Sequence, residues 1–139
     1  MKSNKSIEVR YAETDQMGVV YHANYLVWLE MGRTQLIKDL GFDYAGLESK
    51  GYLSPVLDVS IQYKQSARYG DTVTVSTWID SYSRLKTIYG YEVTKEDGTV
   101  LATAKTVHTL VAKETFRPIA LSKVDQEWHE AYEKACVQA

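Results

Sequence analysis

A single cysteine, Cys136, stands near the end of the 139-residue chain, which excludes an internal disulfide framework and a cysteine-rich metal site. Neither sign of charge prevails: 16 basic against 18 acidic residues give a net charge of −2, so no global attraction to nucleic acid or anionic membrane is expected, and only a local basic patch remains open. No apolar run approaches the ~18 residues of a membrane span. Met1 to Ser6 lacks the apolar core of a signal peptide, and a cytoplasmic protein is the expectation. His108 and His129 stand isolated, no His-Glu-x-x-His pattern or other zinc spacing occurs, and no Gly-x-Ser-x-Gly elbow is present. Metal and cofactor are therefore expected to be absent. Phenylalanine occurs only twice, against eleven tyrosines and three tryptophans, a balance that suits strands and semi-polar pockets.

With 45% hydrophobic residues, the chain has enough apolar material for one compact domain over 1–139 and no room for a comfortable second. Ile7, Val9 and Tyr11 alternate with Glu8 and Arg10, predicting a short half-buried strand. From about Ala23 to Leu40 the period lengthens: Tyr25, Trp28, Leu29, Leu36, Ile37 and Leu40 recur at three- and four-residue steps, as on one stripe of a long helix. Gly41 supplies its stop. Gly32 inside it costs about 1 kcal/mol against alanine, so a close neighbour such as a sheet is expected there. Asp43 to Lys50 reads as a short helix or turn.

The remainder reads as sheet. Strands are predicted at Val56 to Lys64, Thr72 to Tyr82, Leu85 to Thr94 and Val100 to Ala112, with Glu96-Asp-Gly-Thr99 as a tight hairpin. Arg117-Pro118 breaks the sheet, and a polar helix is expected at about 124–136. A strand, a long helix and then a run of antiparallel strands make an α+β architecture, of which a curved sheet wrapped around one central helix is one version.

Chemistry concentrates in Tyr11-Ala-Glu-Thr-Asp-Gln-Met-Gly-Val-Val-Tyr-His-Ala-Asn-Tyr25, where two acids, a glycine turn and a helix start fall within fifteen residues. The set Glu13-Thr-Asp15-x-x-Gly18-Val-Val-Tyr21-His22-x-Asn24-Tyr25-Leu26, followed by Glu30 and Arg33, closely resembles the signature of hotdog-fold acyl-CoA thioesterases, the group of 4-hydroxybenzoyl-CoA thioesterase and its YbgC-like branch. Ala67-Arg68-Tyr69-Gly70-Asp71 resembles that family's turn between the first two long strands. The resemblance implies that Asp15 is the catalytic carboxylate and that a backbone N–H near His22 polarises the thioester carbonyl. It also implies edge-to-edge dimers, often doubled to homotetramers. Glu13 stands where relatives more often have Asp, and is given no catalytic role.

Thioester hydrolysis needs an attacking water or nucleophile and a stabiliser for the oxyanion. A carboxylate serves the first need as general base or as nucleophile. Unpaired N–H groups at a helix start serve the second. The imidazole of His22 is set aside in favour of its backbone, Asn24 is a cap, loop clamp or substrate-orienting residue, and Glu30 is a further candidate for orienting water or meeting a neighbouring subunit. Tyr21 and Tyr25 are candidates for an acyl pocket, as are Tyr63 and Trp78. Arg84 and Lys86, on alternate positions across a strand junction, are the preferred grips for coenzyme A phosphates, with Arg68, Lys113 and Arg117 behind them. The alternatives are a hydroxyacyl-thioester dehydratase, which typically needs a histidine base opposite a carboxylate, and a non-catalytic acyl-CoA-binding protein.

Overall fold

The computed structural model describes residues 1–137. Five strands, β1 (Ser3–Glu8), β3 (Val56–Tyr63), β4 (Thr72–Tyr82), β5 (Thr87–Lys95) and β6 (Val100–His108), form one antiparallel sheet in the order β1-β4-β5-β6-β3. The short β2 (Tyr52–Leu53) and β7 (Val111–Ala112) pair separately. The alternation read from the sequence sets the faces. Val73, Val75, Thr77 and Ile79 of β4 and Tyr89, Tyr91 and Val93 of β5 are buried on the inner face. On that face lies α1 (Asn24–Asp39), presenting Tyr25, Trp28, Leu29, Gly32, Leu36 and Ile37.

Gly32 is where helix and sheet come closest: a β-carbon there would lie 2.5 Å from Thr77 Oγ1 and 2.6 Å from Val75 Cγ1. Gly41, at φ +95°, lets the chain leave the helix. Asp43 caps α2 (Tyr44–Ser49) by accepting from the Ala45 N–H at 3.0 Å.

Three expectations are corrected. The first strand runs Ser3–Glu8 and does not reach Tyr11. Val9 N–H is taken by Asp71 O, the chain turns into a 3-10 segment at Tyr11–Glu13, and Tyr11 is 75% exposed. The return strand predicted to Ala112 stops at His108, because Thr109 turns its hydroxyl to Leu85 O and its N–H to Pro55 O, and Val111–Ala112 then pair with β2. The terminal helix is divided into α3 (Leu121–Val124) and α4 (Gln126–Ala135) by Asp125, which caps α4 through the Trp128 N–H. Nor is it polar on every side: Trp128 stacks on Phe42 at 4.9 Å, and the buried Tyr132 hydroxyl meets that of Tyr89 at 2.6 Å.

The helix covers the β1, β4 and β5 half of the sheet. Beyond it, the edge strand β3 leaves Leu57, Val59 and Tyr63 largely exposed, and Leu26, Val27 and Met31 are exposed on α1.

Candidate active site

The loop between the 3-10 segment and α1 is a small hairpin, with Thr14 bridged to Val20 and Val19 to Arg68. Asp15 N–H donates to Val19 O at 2.8 Å, and Gly18 N–H donates to Asp15 O at 3.0 Å. Gly18 sits at φ +78°, a conformation glycine adopts without strain. Asp15 is half-buried. Its Oδ1 accepts from the Met17 N–H at 2.8 Å in an Asx turn, while Oδ2 has no hydrogen-bond partner among the described residues.

Glu13 locks this hairpin to the helix. Its side chain is buried, with Oε1 accepting from the Arg10 N–H and Oε2 from the Trp28 indole, both at 2.8 Å. Burial by itself raises the Glu13 carboxyl, but the Arg10 N–H, the Trp28 indole and the nearby Arg10 guanidinium together hold it below its ordinary value. The Glu13 carbonyl accepts from the Asn24 side chain at 2.8 Å and from the Tyr21 N–H at 2.9 Å. Asn24 is thus a loop clamp; it lies inside the first helical turn and caps nothing with its side chain.

At the helix start the N–H groups of Asn24, Tyr25 and Leu26 are taken by the carbonyls of Tyr21, His22 and Ala23. Those of His22 and Ala23 meet no acceptor among the described residues. Tyr63 donates its hydroxyl to His22 O at 3.0 Å, fixing the peptide on which this turn rests. The exposed His22 ring packs on Tyr21 at 4.5 Å.

Asp15, His22, Tyr25, Tyr63, Lys64 and Gln65 line an open cleft of about 270 Å³. Of the residues expected at a site, this cleft brings together Asp15, His22 and Tyr25, with Tyr21 at its rim against His22. Tyr25 serves core and cleft alike: it is 3% exposed, packed against Trp28 at 4.8 Å and Tyr63 at 5.1 Å. Lys64 and Gln65 were missed. Their position just after a strand gives no local sign of it, because their nearness to the helix start depends on how β3 sits in the sheet.

Other candidates lie elsewhere in the chain. Glu30 is exposed on α1 and faces a different cleft, shared with Arg33, Thr34, Tyr44 and Ser54. Arg84 and Lys86 occupy an exposed turn closed by Ser83 N–H to Lys86 O at 2.9 Å, not alternate strand positions, and Arg84 lines a third cleft beside Tyr82 and His129. Trp78 lies across Gly90 on the sheet face away from α1, bonds to Asp80 and lines a separate cleft with Gln62 and Thr103, apart from that of Asp15.

An antiparallel sheet laid over one long helix, with a carboxylate hairpin at the helix start, defines the hotdog thioesterase class. Residues 9–129 match the thioesterase-like superfamily; the chain belongs to this family and is a thioester hydrolase. It is 57% identical to the protein named "Putative acyl-CoA thioesterase YneP" of Bacillus subtilis, over 96% of both chains. Its fold is similar to that of the DHNA-CoA thioesterase of Staphylococcus aureus, with a TM-score of 0.94 and 46% identity over 96% of this chain and 89% of that one. It is also similar to Slr0204, a 1,4-dihydroxy-2-naphthoyl-CoA thioesterase of Synechocystis, with a TM-score of 0.86 and 25% identity over 95% and 96% of the two chains.

Proposed function

We propose that the protein hydrolyses acyl-CoA to a free carboxylic acid and coenzyme A, with Asp15 as the reactive carboxylate. The observation that carries this reading is the pairing, in one cleft, of a half-buried carboxylate with one uncommitted oxygen and a helix start with unpaired N–H groups. Asp15 takes a proton from water as the water oxygen attacks the thioester carbon. The His22 N–H stabilises the oxyanion, and the thiolate of coenzyme A then leaves and is protonated. A preorganised donor of this kind contributes about 3 kcal/mol in the transition state. Attack by Asp15 itself, through an anhydride, uses the same geometry; oxygen-18 appearing in Asp15 during a single turnover would identify that route.

The relatives acting on dihydroxynaphthoyl-CoA favour a hydroxylated aromatic acyl group, and the Tyr25 and Tyr63 rings beside Asp15 suit a flat one. Lys64, in the cleft, and Arg68, bridged to Val19 of the Asp15 hairpin, are the cations we assign to phosphate recognition. Arg84 and Lys86 serve the same ligand only if another copy brings them close.

We further infer a homodimer in which β3 pairs with β3 of a second copy. The support is an eight-residue edge strand with exposed apolar side chains beside the exposed flank of α1. Asp15→Asn is the direct test of the chemistry. Asparagine keeps the acceptor for Met17 N–H, so fold and ligand binding are expected to persist while thiol release falls at least a hundredfold. Wild-type turnover in that variant would sink the mechanism.

A further inference from the structure

Behind α1 a second polar assembly runs through the core, away from Asp15. Arg33 Nη1 donates to the Tyr91 hydroxyl at 3.1 Å, Tyr91 bonds Thr106 Oγ1, and Thr106 Oγ1 bonds His108 Nε2 at 2.9 Å. The His108 ring also bonds the Ser54 backbone. Arg33 has only donors, so the Tyr91 hydroxyl accepts from it, and Tyr91, Thr106 and His108 stand behind it in one chain of hydrogen bonds. Burial and the nearby Arg33 charge hold His108 down at about 4, so it is neutral at physiological pH and fit to accept. The chain of bonds anchors one nitrogen of a half-buried guanidinium, which lines a cleft of about 330 Å³ with Glu30, Thr34, Tyr44 and Ser54. No carboxylate lies within ion-pair distance of Arg33 among the described residues.

The two clefts sit at opposite ends of one edge strand. The Asp15 cleft includes Tyr63, Lys64 and Gln65 at the end of β3, and the Arg33 cleft includes Ser54, Pro55 and Val56 at its start. A two-fold axis near the middle of β3 pairs it antiparallel with its copy, bringing each end beside the opposite end. Each Asp15 cleft then opens onto the Arg33 cleft of the other chain.

We propose that Arg33 acts in trans as a specificity residue, donating to an oxygen on the far side of the acyl group whose thioester is attacked at the other chain's Asp15. Tyr91, Thr106 and His108 are positioning residues that hold the guanidinium. The inference rests on the hydrolysis and the dimer proposed above. Its ligand is an acyl thioester with a distal hydroxyl, phenolate or carboxylate oxygen, to which a charged donor contributes about tenfold or more in affinity.

The test compares kcat/KM for naphthoyl-CoA with and without a ring hydroxyl distal to the thioester. Arg33→Met is expected to cut the preference for the hydroxylated substrate at least tenfold, and Thr106→Val, which leaves Arg33 in place, to cut it severalfold. An unchanged preference in folded Arg33→Met, or in Thr106→Val should Arg33→Met fail to fold, would overturn the proposal. Mixed dimers of Asp15→Asn and Arg33→Met chains contain one site that joins an intact Asp15 to an intact Arg33 only if the residues act across the dimer. Recovery of the preference in the mixture supports action in trans, and its absence refutes it. Full activity of Asp15→Asn alone would instead overturn the hydrolytic reading and leave the Arg33 comparison standing.

Discussion

Trp28 donates its indole N–H to Glu13 Oε2 at 2.8 Å, a buried bond that joins the middle of the first helical turns to the hairpin carrying Asp15. With Oε1 held by the Arg10 N–H, both Glu13 oxygens are committed to structure. Glu13→Gln offers one acceptor where two donors need one, and is expected to cost about 1–3 kcal/mol. The measurement is thermal unfolding, with a Tm several degrees below wild type as the expected outcome. An unshifted Tm would mean that the lock carries no stability.

Acid sensitivity should begin at His108. Its folded value, about 4, lies below the ordinary 6.5, so the unfolded chain binds this proton first. The stability it contributes is complete above pH 6.5 and is lost as pH falls toward 4, at about 1.4 kcal/mol per unit across that window. Glu13, held below its ordinary 4.5, acts with the same sign further down: its contribution is present above that value and lost as pH falls through its lowered one. Urea unfolding at a series of pH values checks this, and His108→Gln is expected to flatten the slope between pH 6.5 and 4.

Gly32→Ala sets two effects against each other. Alanine favours a helix by about 1 kcal/mol. Its β-carbon would meet Val75 Cγ1 and Thr77 Oγ1, side chains of a fully buried strand with little freedom to retreat. Overpacking of this kind costs about 1–3 kcal/mol, so net destabilisation is expected in a denaturant melt. A stabilised variant would place helix and sheet further apart than described.

Val59→Asp tests the β3 edge. Val59 is 41% exposed, so a charge there costs the isolated chain little, whereas burying it between two copies is prohibitive. Sedimentation is expected to give a folded monomer, with thiol release lost if the site is shared between chains. A dimeric Val59→Asp protein would move the interface elsewhere.

What could be read in advance was local. β4 occupies Thr72–Tyr82 as its β-branched alternation predicts, α1 lies within one residue of its expected ends, and Gly32 meets the sheet its presence implied. The start of β1 was illegible because Ser3, Asn4, Lys5 and Ser6 show no apolar alternation; their strand conformation comes from pairing with β4, far along the chain. The site divides in the same way. Asp15 and the helix start are neighbours in sequence, and their motif could be recognised. Tyr63, Lys64 and Gln65 come from across the fold, and the Arg33 relay draws on α1, β5 and β6, so no contiguous pattern announces either.

The strand order also governs the timing of folding. Ser3 pairs with Thr77 and Tyr63 with Ala102, so neither β1 nor β3 can pair within the sheet before distant segments arrive. The β4–β5–β6 meander can close locally, and the long loop-closure steps follow. Such non-local pairing slows folding. While it waits, β3 is a free apolar strand with both edges open, vulnerable to strangers. Refolding yield is therefore expected to fall as chain concentration rises, even though the proposed dimer would be favoured by the same increase.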